Sequence, residues 1–303
     1  MHAPDFRGQK VSKRKSSNAA GAEQSIVTLI DDGDPHYLNV SIRMKRSGRY
    51  VISKRFDKLL LQLSDIYQFI IRFFKEVFLP PYEFKEMVRQ CYEIGYKSLA
   101  LITLTGFITG LVFTKQSRPS LAEFGAASWL PSLVAIAIIR ALAPLVTALI
   151  AAGKVGSNIG AELGSMKVTE QIDAMEVSAT NPFKFLVVTR IIATTLMIPI
   201  LAMYTGFVGM LGSFINVSQN EQTSLSAFLE DAFKSISFLD LFSSLFKATV
   251  FGFTIGAVGC YQGYNSSKGT EGVGKAANSA VVVSMFLIFI EEILVVQVVN
   301  AIR

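Results

Sequence analysis

Hydrophobic and polar positions change their spacing twice along the chain. Over residues 56–78 the period is helical. Placed at 100° per residue, Asp57, Lys58, Gln62, Ser64, Asp65, Gln68, Arg72, Lys75 and Glu76 fall within an arc of about 160°. Only Leu61 and Phe69 intrude on it, and the other face carries Leu59, Leu60, Leu63, Ile66, Ile70, Phe74 and Val77. This pattern predicts an amphipathic helix in the cytoplasmic membrane interface, ended by Pro80 and Pro81, which cannot continue a helix. The polar face then disappears. Runs 98–114, 124–152, 185–217, 241–262 and 276–302 are apolar enough, at about 1.5 Å per residue, to cross a hydrocarbon layer of about 30 Å. The predicted fold is an all-α polytopic membrane protein, with an N-terminal interfacial helix followed by five transmembrane helices.

Between the runs the polar residues report orientation. Lys154, Lys167 and Lys184 follow the second run, and Lys268 and Lys275 follow the fourth. The segment after the third is acidic, with Glu221, Glu230, Asp231 and Asp240 against Lys234. The positive-inside rule places the N-terminus in the cytoplasm and the C-terminus across the membrane, with Lys115 and Arg118 running against it. Leu225, Phe228, Leu229, Phe233 and Ile236 recur at helical spacing in the acidic segment and predict a short helix on the outer surface.

Composition agrees with a membrane chain, with 51% hydrophobic and only 17% charged residues among 303. The net charge of +6 has one source. Residues 1–55 hold 11 of the 29 Lys/Arg and 5 of the 23 Asp/Glu, leaving 18 of each for the remainder. A basic tail on a membranous chain points to a cytoplasmic anchor or an anionic membrane surface rather than nucleic acid. Residues 1–24 are expected to be disordered. Residues 26–54 contain a stretch that alternates at strand period and stay unassigned, so 1–55 is taken as a largely disordered basic tail, 56–97 as interfacial helix and connector, and 98–303 as the five-helix spanning domain. Residues 1–25 contain no apolar core before a small-residue cleavage site, so insertion is expected to use the internal segments. Cys91 and Cys260 stand far apart without a CxxC or Cys/His cluster, which indicates neither a disulfide framework nor a metal site.

Chemistry-bearing motifs are sparse. There is no GxxxxGK[ST] phosphate loop, GxSxG elbow or HExxH pair, and the two histidines, His2 and His36, precede the spanning region. No catalytic residue is assigned. The informative segment follows the second run. Gly156, Gly160 and Gly164, four apart, allow close helix approach. After Ser165 the pattern becomes amphipathic, with Val168, Ile172 and Met175 on one face and Lys167, Glu170, Gln171 and Ala174 on the other, suiting a short helix that docks on a cytoplasmic partner. Ionisable residues inside spans are functional candidates by default. Arg140, Glu291 and Glu292 are expected to pair with one another or to meet a lipid head group, whereas Arg190 and Lys247, near helix ends, are expected to snorkel to the interface. The Gly106/Gly110 and Gly252/Gly256 pairs are expected to serve packing.

The peptide AELGSMKVTEQIDA at 161–174 resembles the signature of the MlaE-type permease family of Mla and Mce lipid-transport systems. The likeness continues through NP at 181–182, LVVTR at 186–190, and GYN at 263–265 to GVGKAANSAVV at 272–282, covering about residues 56–303. Lys154 stands where the family usually has arginine, and Thr189 where proline commonly precedes the arginine. The resemblance implies a bacterial inner-membrane ABC permease in which two copies enclose an apolar lipid pocket. It also implies that a coupling helix at about 162–177 meets a separate ATPase subunit through Glu162, Lys167, Val168, Glu170, Gln171, Ile172, Asp173 and Met175. ATP and Mg would belong to that subunit, with no cofactor on this chain. Phospholipid or a related lipid would pass to or from a periplasmic MCE-domain protein, maintaining outer-membrane asymmetry. A membrane scaffold for a soluble partner and an ion-coupled transporter using Glu291 and Glu292 remain the alternatives.

Overall fold

The computed structural model describes residues 51–80, 82–221, 223–267 and 269–302. The expectations for residues 1–50, and those for the side chains of Asp57, Lys58 and Leu59, lie outside the described residues. The described residues form helices α1 (Val51–Phe78), α2 (Phe84–Gly95), α3 (Leu99–Glu123), α4 (Leu130–Ala137), α5 (Ala143–Ala151), α6 (Ser157–Val168), α7 (Gln171–Val177), α8 (Thr189–Glu221), α9 (Leu225–Ser235), α10 (Phe238–Tyr264) and α11 (Thr270–Ile302), with no strand among them. Five continuous helical stretches are long and apolar enough to span a membrane: Phe84–Glu123, Ala127–Val168, Phe183–Asn220, Phe238–Tyr264 and Thr270–Ala301. The chain is a polytopic membrane protein.

The spans are longer than the apolar runs that mark them. The connector after the prolines is itself helical, because α2 runs through a short 3-10 turn at Tyr96–Ser98 into α3. Lys115 and Arg118 lie within α3 rather than in a loop. The second span joins α4, α5 and α6 through π-helical segments at Ile138–Leu142 and Ala152–Gly156, and a third π segment, Phe183–Val188, opens the span that contains α8. Such wide turns occur where a side chain or proline disturbs the i→i−4 ladder. Pro144, which has no N–H, leaves the Arg140 carbonyl without its usual donor. Lys247 Nζ supplies one at 3.3 Å.

α8 is the central helix and packs most extensively on α3 and α10. In lipid, helices associate through close packing of small residues rather than through loss of apolar surface from water. The glycine pairs therefore carry the contacts. A β-carbon at Gly110 would overlap the Gly209 carbonyl, and one at Gly252 would stand 2.6 Å from the Thr194 carbonyl. The ladder Gly156, Gly160 and Gly164 serves the same purpose for α6, which lies against α10 and α11: a β-carbon at Gly160 would sit 3.1 Å from the Ala276 carbonyl.

α1 buries a different face from the one its amphipathic pattern suggests. Phe69, which intrudes on the polar arc, is buried with Phe73, and its ring meets Phe183 at 5.2 Å and Tyr261 at 5.4 Å, both edge-on. Leu60, Leu63, Ile66 and Phe74 stay exposed. The helix thus has two apolar faces, one docked on the bundle and one left for an interfacial environment. At the opposite end of α8 from α7, α9 buries Phe228 and Ala232 against α4 and begins at a Ser224 side-chain cap.

Candidate functional site

Two groups of residues emerge, one at the α7 end of the bundle and one inside the spanning layer. The predicted coupling helix at 162–177 is two helices rather than one. The chain breaks at Thr169 and Glu170, and Glu170 takes a left-handed backbone, φ 59°. Glu162, Lys167 and Val168 therefore belong to α6, the end of the second span, while Glu170 caps α7 and Gln171, Ile172, Asp173 and Met175 lie on it. Lys167 Nζ reaches across the break to Asp173 Oδ1 at 2.9 Å. Ile172 is buried in the main core cluster, and Met175 packs on the same cluster. The residues of α7 that face solvent are Glu170, Gln171, Asp173, Ala174, Glu176 and Val177.

Glu162 points to a second role. Its carboxylate accepts a hydrogen bond of 2.7 Å from Arg190 Nη2, while Arg190 Nη1 donates to the Leu186 carbonyl at 2.9 Å. Arg190 is 2% exposed, so it does not snorkel; it is buried and ties the start of α8 to α6. Glu162 itself is half exposed. Charged hydrogen bonds of this kind are the stronger ones, and the burial of the arginine makes its partner indispensable.

The loop after α7 is anchored to α1 and to the chain that follows it. Asn181 Nδ2 donates to Glu76 Oε1 at 3.1 Å, Lys184 Nζ donates to the Leu79 carbonyl, and the Arg72 guanidinium lies 4.3 Å from the centre of the Phe183 ring. Glu76, Leu79, Asn181 and Lys184, with Glu83 and Phe185, border a cavity of about 220 Å³. Lys154 Nζ similarly donates to the Lys97 carbonyl, tying the second span to the first.

Inside the spanning layer the ionisable residues form a stripe. Asp240, Lys247 and Thr254 stand seven apart on α10, hence on one side of it. Lys247 Nζ donates to Glu292 Oε1 at 2.6 Å and Thr254 Oγ1 donates to Glu291 Oε1 at 2.5 Å. Arg140 Nη2 donates to Asn300 Oδ1 at 2.8 Å, and its Nε lies 3.8 Å from Asp240 Oδ1. The expected pairing of Arg140 with Glu291 or Glu292 is thus replaced by a different set. Lys247, 1% exposed, is a buried partner rather than a snorkelling residue. The missed members are Asp240, Thr254 and Asn300. The seven-residue spacing of Asp240, Lys247 and Thr254 was the available signal, whereas Asn300 has none, because its partner lies 160 residues away. Among the described residues no group of three His, Cys, Asp or Glu side chains is placed to hold a metal.

A family model described as Permease MlaE matches residues 87–298. The chain belongs to the MlaE permease family. Among curated relatives of this MlaE-family chain, a probable ABC transporter permease protein of Rickettsia typhi is 38% identical over 72% of this chain and 84% of its own length. A probable ABC transporter permease protein of Synechocystis is 37% identical over 69% of this chain and 79% of its own. The Arabidopsis thaliana chloroplast protein trigalactosyldiacylglycerol 1 is 32% identical over 69% of this chain and 59% of its own. This MlaE-family chain is a permease subunit of an ABC transporter, and ATP hydrolysis resides on a separate subunit.

Proposed function

We propose that the chain is one half of a homodimeric lipid permease in the bacterial inner membrane, coupled to its ATPase subunit through α7 and the end of α6. The observation that carries this reading is α7 itself: a short helix held by a buried apolar side and turning its charged side outward, at the end of a span whose Glu162 is linked to the third span by Arg190. A displacement of α7 by the ATPase is passed to α6 through the Lys167–Asp173 bond and on to α8 through Glu162–Arg190. Discrete packed elements of this sort carry coupling between distant sites.

Lipid as cargo is supported by the family resemblance, by the glycolipid in the name of the Arabidopsis relative, and by the walls of the bundle. A cavity in the spanning layer, among Ile139, Ala143, Met203, Phe207, Leu241, Ser244 and Leu245, is mostly apolar and has a volume of about 80 Å³. Sites for drug-sized ligands begin at about 300 Å³. A cavity of this size does not hold a lipid, which favours a pocket between two copies. α11 suits that second interface, being the least covered span, with Val282, Phe286, Phe289 and Ile293 on an open side. In this reading the N-terminus is cytoplasmic, α9 lies on the periplasmic side, and an MCE-domain protein there exchanges phospholipid with the complex.

The test is purification of the chain with its ATPase subunit, mass spectrometry of retained lipid, and an ATP-dependent transfer assay. Expected are phospholipid in the complex, ATP-dependent transfer, and loss of both the ATPase and transfer in Glu170→Lys. Absence of bound lipid together with no ATP-dependent transfer would overturn the proposal.

A further inference from the structure

α7 is held as a rigid piece. Two non-glycine residues with left-handed backbone bracket it, Glu170 at φ 59° and Ala179 at φ 58°, a conformation that side-chain-bearing residues keep only where the surroundings impose it. Ile172, 1% exposed, pins one side to the bundle, and the Lys167–Asp173 bond closes the entry. What this piece presents is unusual for a water-facing turn. Val177, in its last position, is 90% exposed, more than any other large hydrophobic residue among those described. At 100° per residue it points roughly opposite the midpoint of Ile172 and Met175, so it shares the outward face with Glu170, Asp173 and Ala174.

The charges of this segment are mostly acidic, with Glu170, Asp173 and Glu176 against Lys167, which is bonded to Asp173. Glu170 and Glu176 are exposed and form no ion pair among the described residues, and Ser178, Ala179, Thr180 and Asn181 beyond it are exposed as well. An anionic lipid surface repels such a rim, and so does the identical rim of a second copy. An exposed apolar side chain on a face that also carries unpaired carboxylates complements a socket with an apolar floor and a Lys/Arg border.

We infer that Val177 is the apolar anchor by which the ATPase subunit grips this permease, and that the ATPase socket receiving it is bordered by basic residues that meet Glu170 and Glu176. The inference rests on the reading that α7 is the coupling element, and it relocates the grip from Ile172 and Met175, which the bundle already occupies, to the opposite face. Ile172 and Met175 position the helix. Val177, Glu170 and Glu176 select the partner.

The decisive experiment places a benzophenone amino acid at position 177 of the full chain co-expressed with its ATPase, alongside Val177→Asp, Val177→Leu and the double variant Glu170→Lys/Glu176→Lys. Expected are a light-induced adduct between position 177 and the ATPase, about a tenfold loss of co-purifying ATPase in Val177→Asp, and retention in Val177→Leu, since a buried unpaired carboxylate is penalised and a longer aliphatic is not. The double charge reversal should weaken binding and remove its sensitivity to salt. Position 177 is exposed, so Val177→Asp is expected to keep the melting temperature of the parent, which separates loss of grip from loss of fold. An adduct only to lipid or to a second permease, or full ATPase retention in Val177→Asp while Glu170→Lys releases it, overturns the anchor and leaves the coupling reading standing. Retention in all variants overturns both.

Discussion

At the scale of single residues, buried charge decides more than exposed charge. Lys247 and Glu292 make a 2.6 Å ion pair inside the spanning layer, with side chains 2% and 16% exposed. Removing one member leaves the other uncompensated, at about 3–5 kcal/mol, whereas replacing both with apolar groups of similar volume is close to neutral. Lys247→Met and Glu292→Met are each expected to lower the melting temperature of the purified permease substantially, and the double variant to recover most of the loss. A double variant as unstable as the sum of the singles would mean the two residues act independently. Arg190 and Glu162 differ in kind, because only the arginine is buried and the carboxylate is half in solvent. That asymmetry fits a link between the bundle and its surface. Neither role was legible in the sequence, where Arg190 and Lys247 stand near the ends of apolar runs and invite the snorkelling interpretation. Their partners are 28 and 45 residues away, beyond any local pattern.

At the scale of elements, backbone proximity sets which substitutions a helix accepts. Gly110 meets the backbone of Gly209, while Gly274 on α11 has no neighbouring atom within 4 Å of where a β-carbon would lie. Gly110→Val must push α3 away from α8 and is expected to destabilise by roughly 2–3 kcal/mol, as over-packing does. Gly274→Ala should be neutral or stabilising by up to about 1 kcal/mol through helix propensity. Thermal melting of the two variants in the same detergent checks the contrast; equal effects would rule out the α3–α8 contact as the cause. The small-residue spacing made these contacts visible in advance, since Gly-xxx-Gly is a local pattern with one physical use in lipid. The division of residues 162–177 into α6 and α7 was less visible, because no glycine or proline marks the break and Glu170 adopts its left-handed backbone under tertiary constraint.

At the scale of the whole molecule, the five spans are unevenly covered. The third is the most enclosed and the fifth the least, with 61% and 17% of their apolar windows buried. A single copy thus leaves α11 open along one side, which is where our reading seats the second copy. With Cys91 and Cys260 replaced, Phe286→Cys on α11 is expected to cross-link to its counterpart in native membranes, and Phe207→Cys on α8, equally exposed, is not. Cross-linking at position 207 but not at 286 would move the interface to α8.

The helical class, the five crossings and the family signature at 161–174 were determined by the chain itself, because run length, charge placement and a contiguous motif are properties of neighbouring residues. The helix α1 was legible too, but not the way it docks. Phe69 looked like a flaw in an amphipathic pattern and is the residue that fixes α1 to Phe183 and Tyr261. Tertiary structure alone decided the partners of Arg140, Arg190 and Lys247, the split at Glu170 and the outward face of Val177. Each depends on which distant helix lies alongside, and in a medium without water a charge takes whichever partner that packing brings within reach.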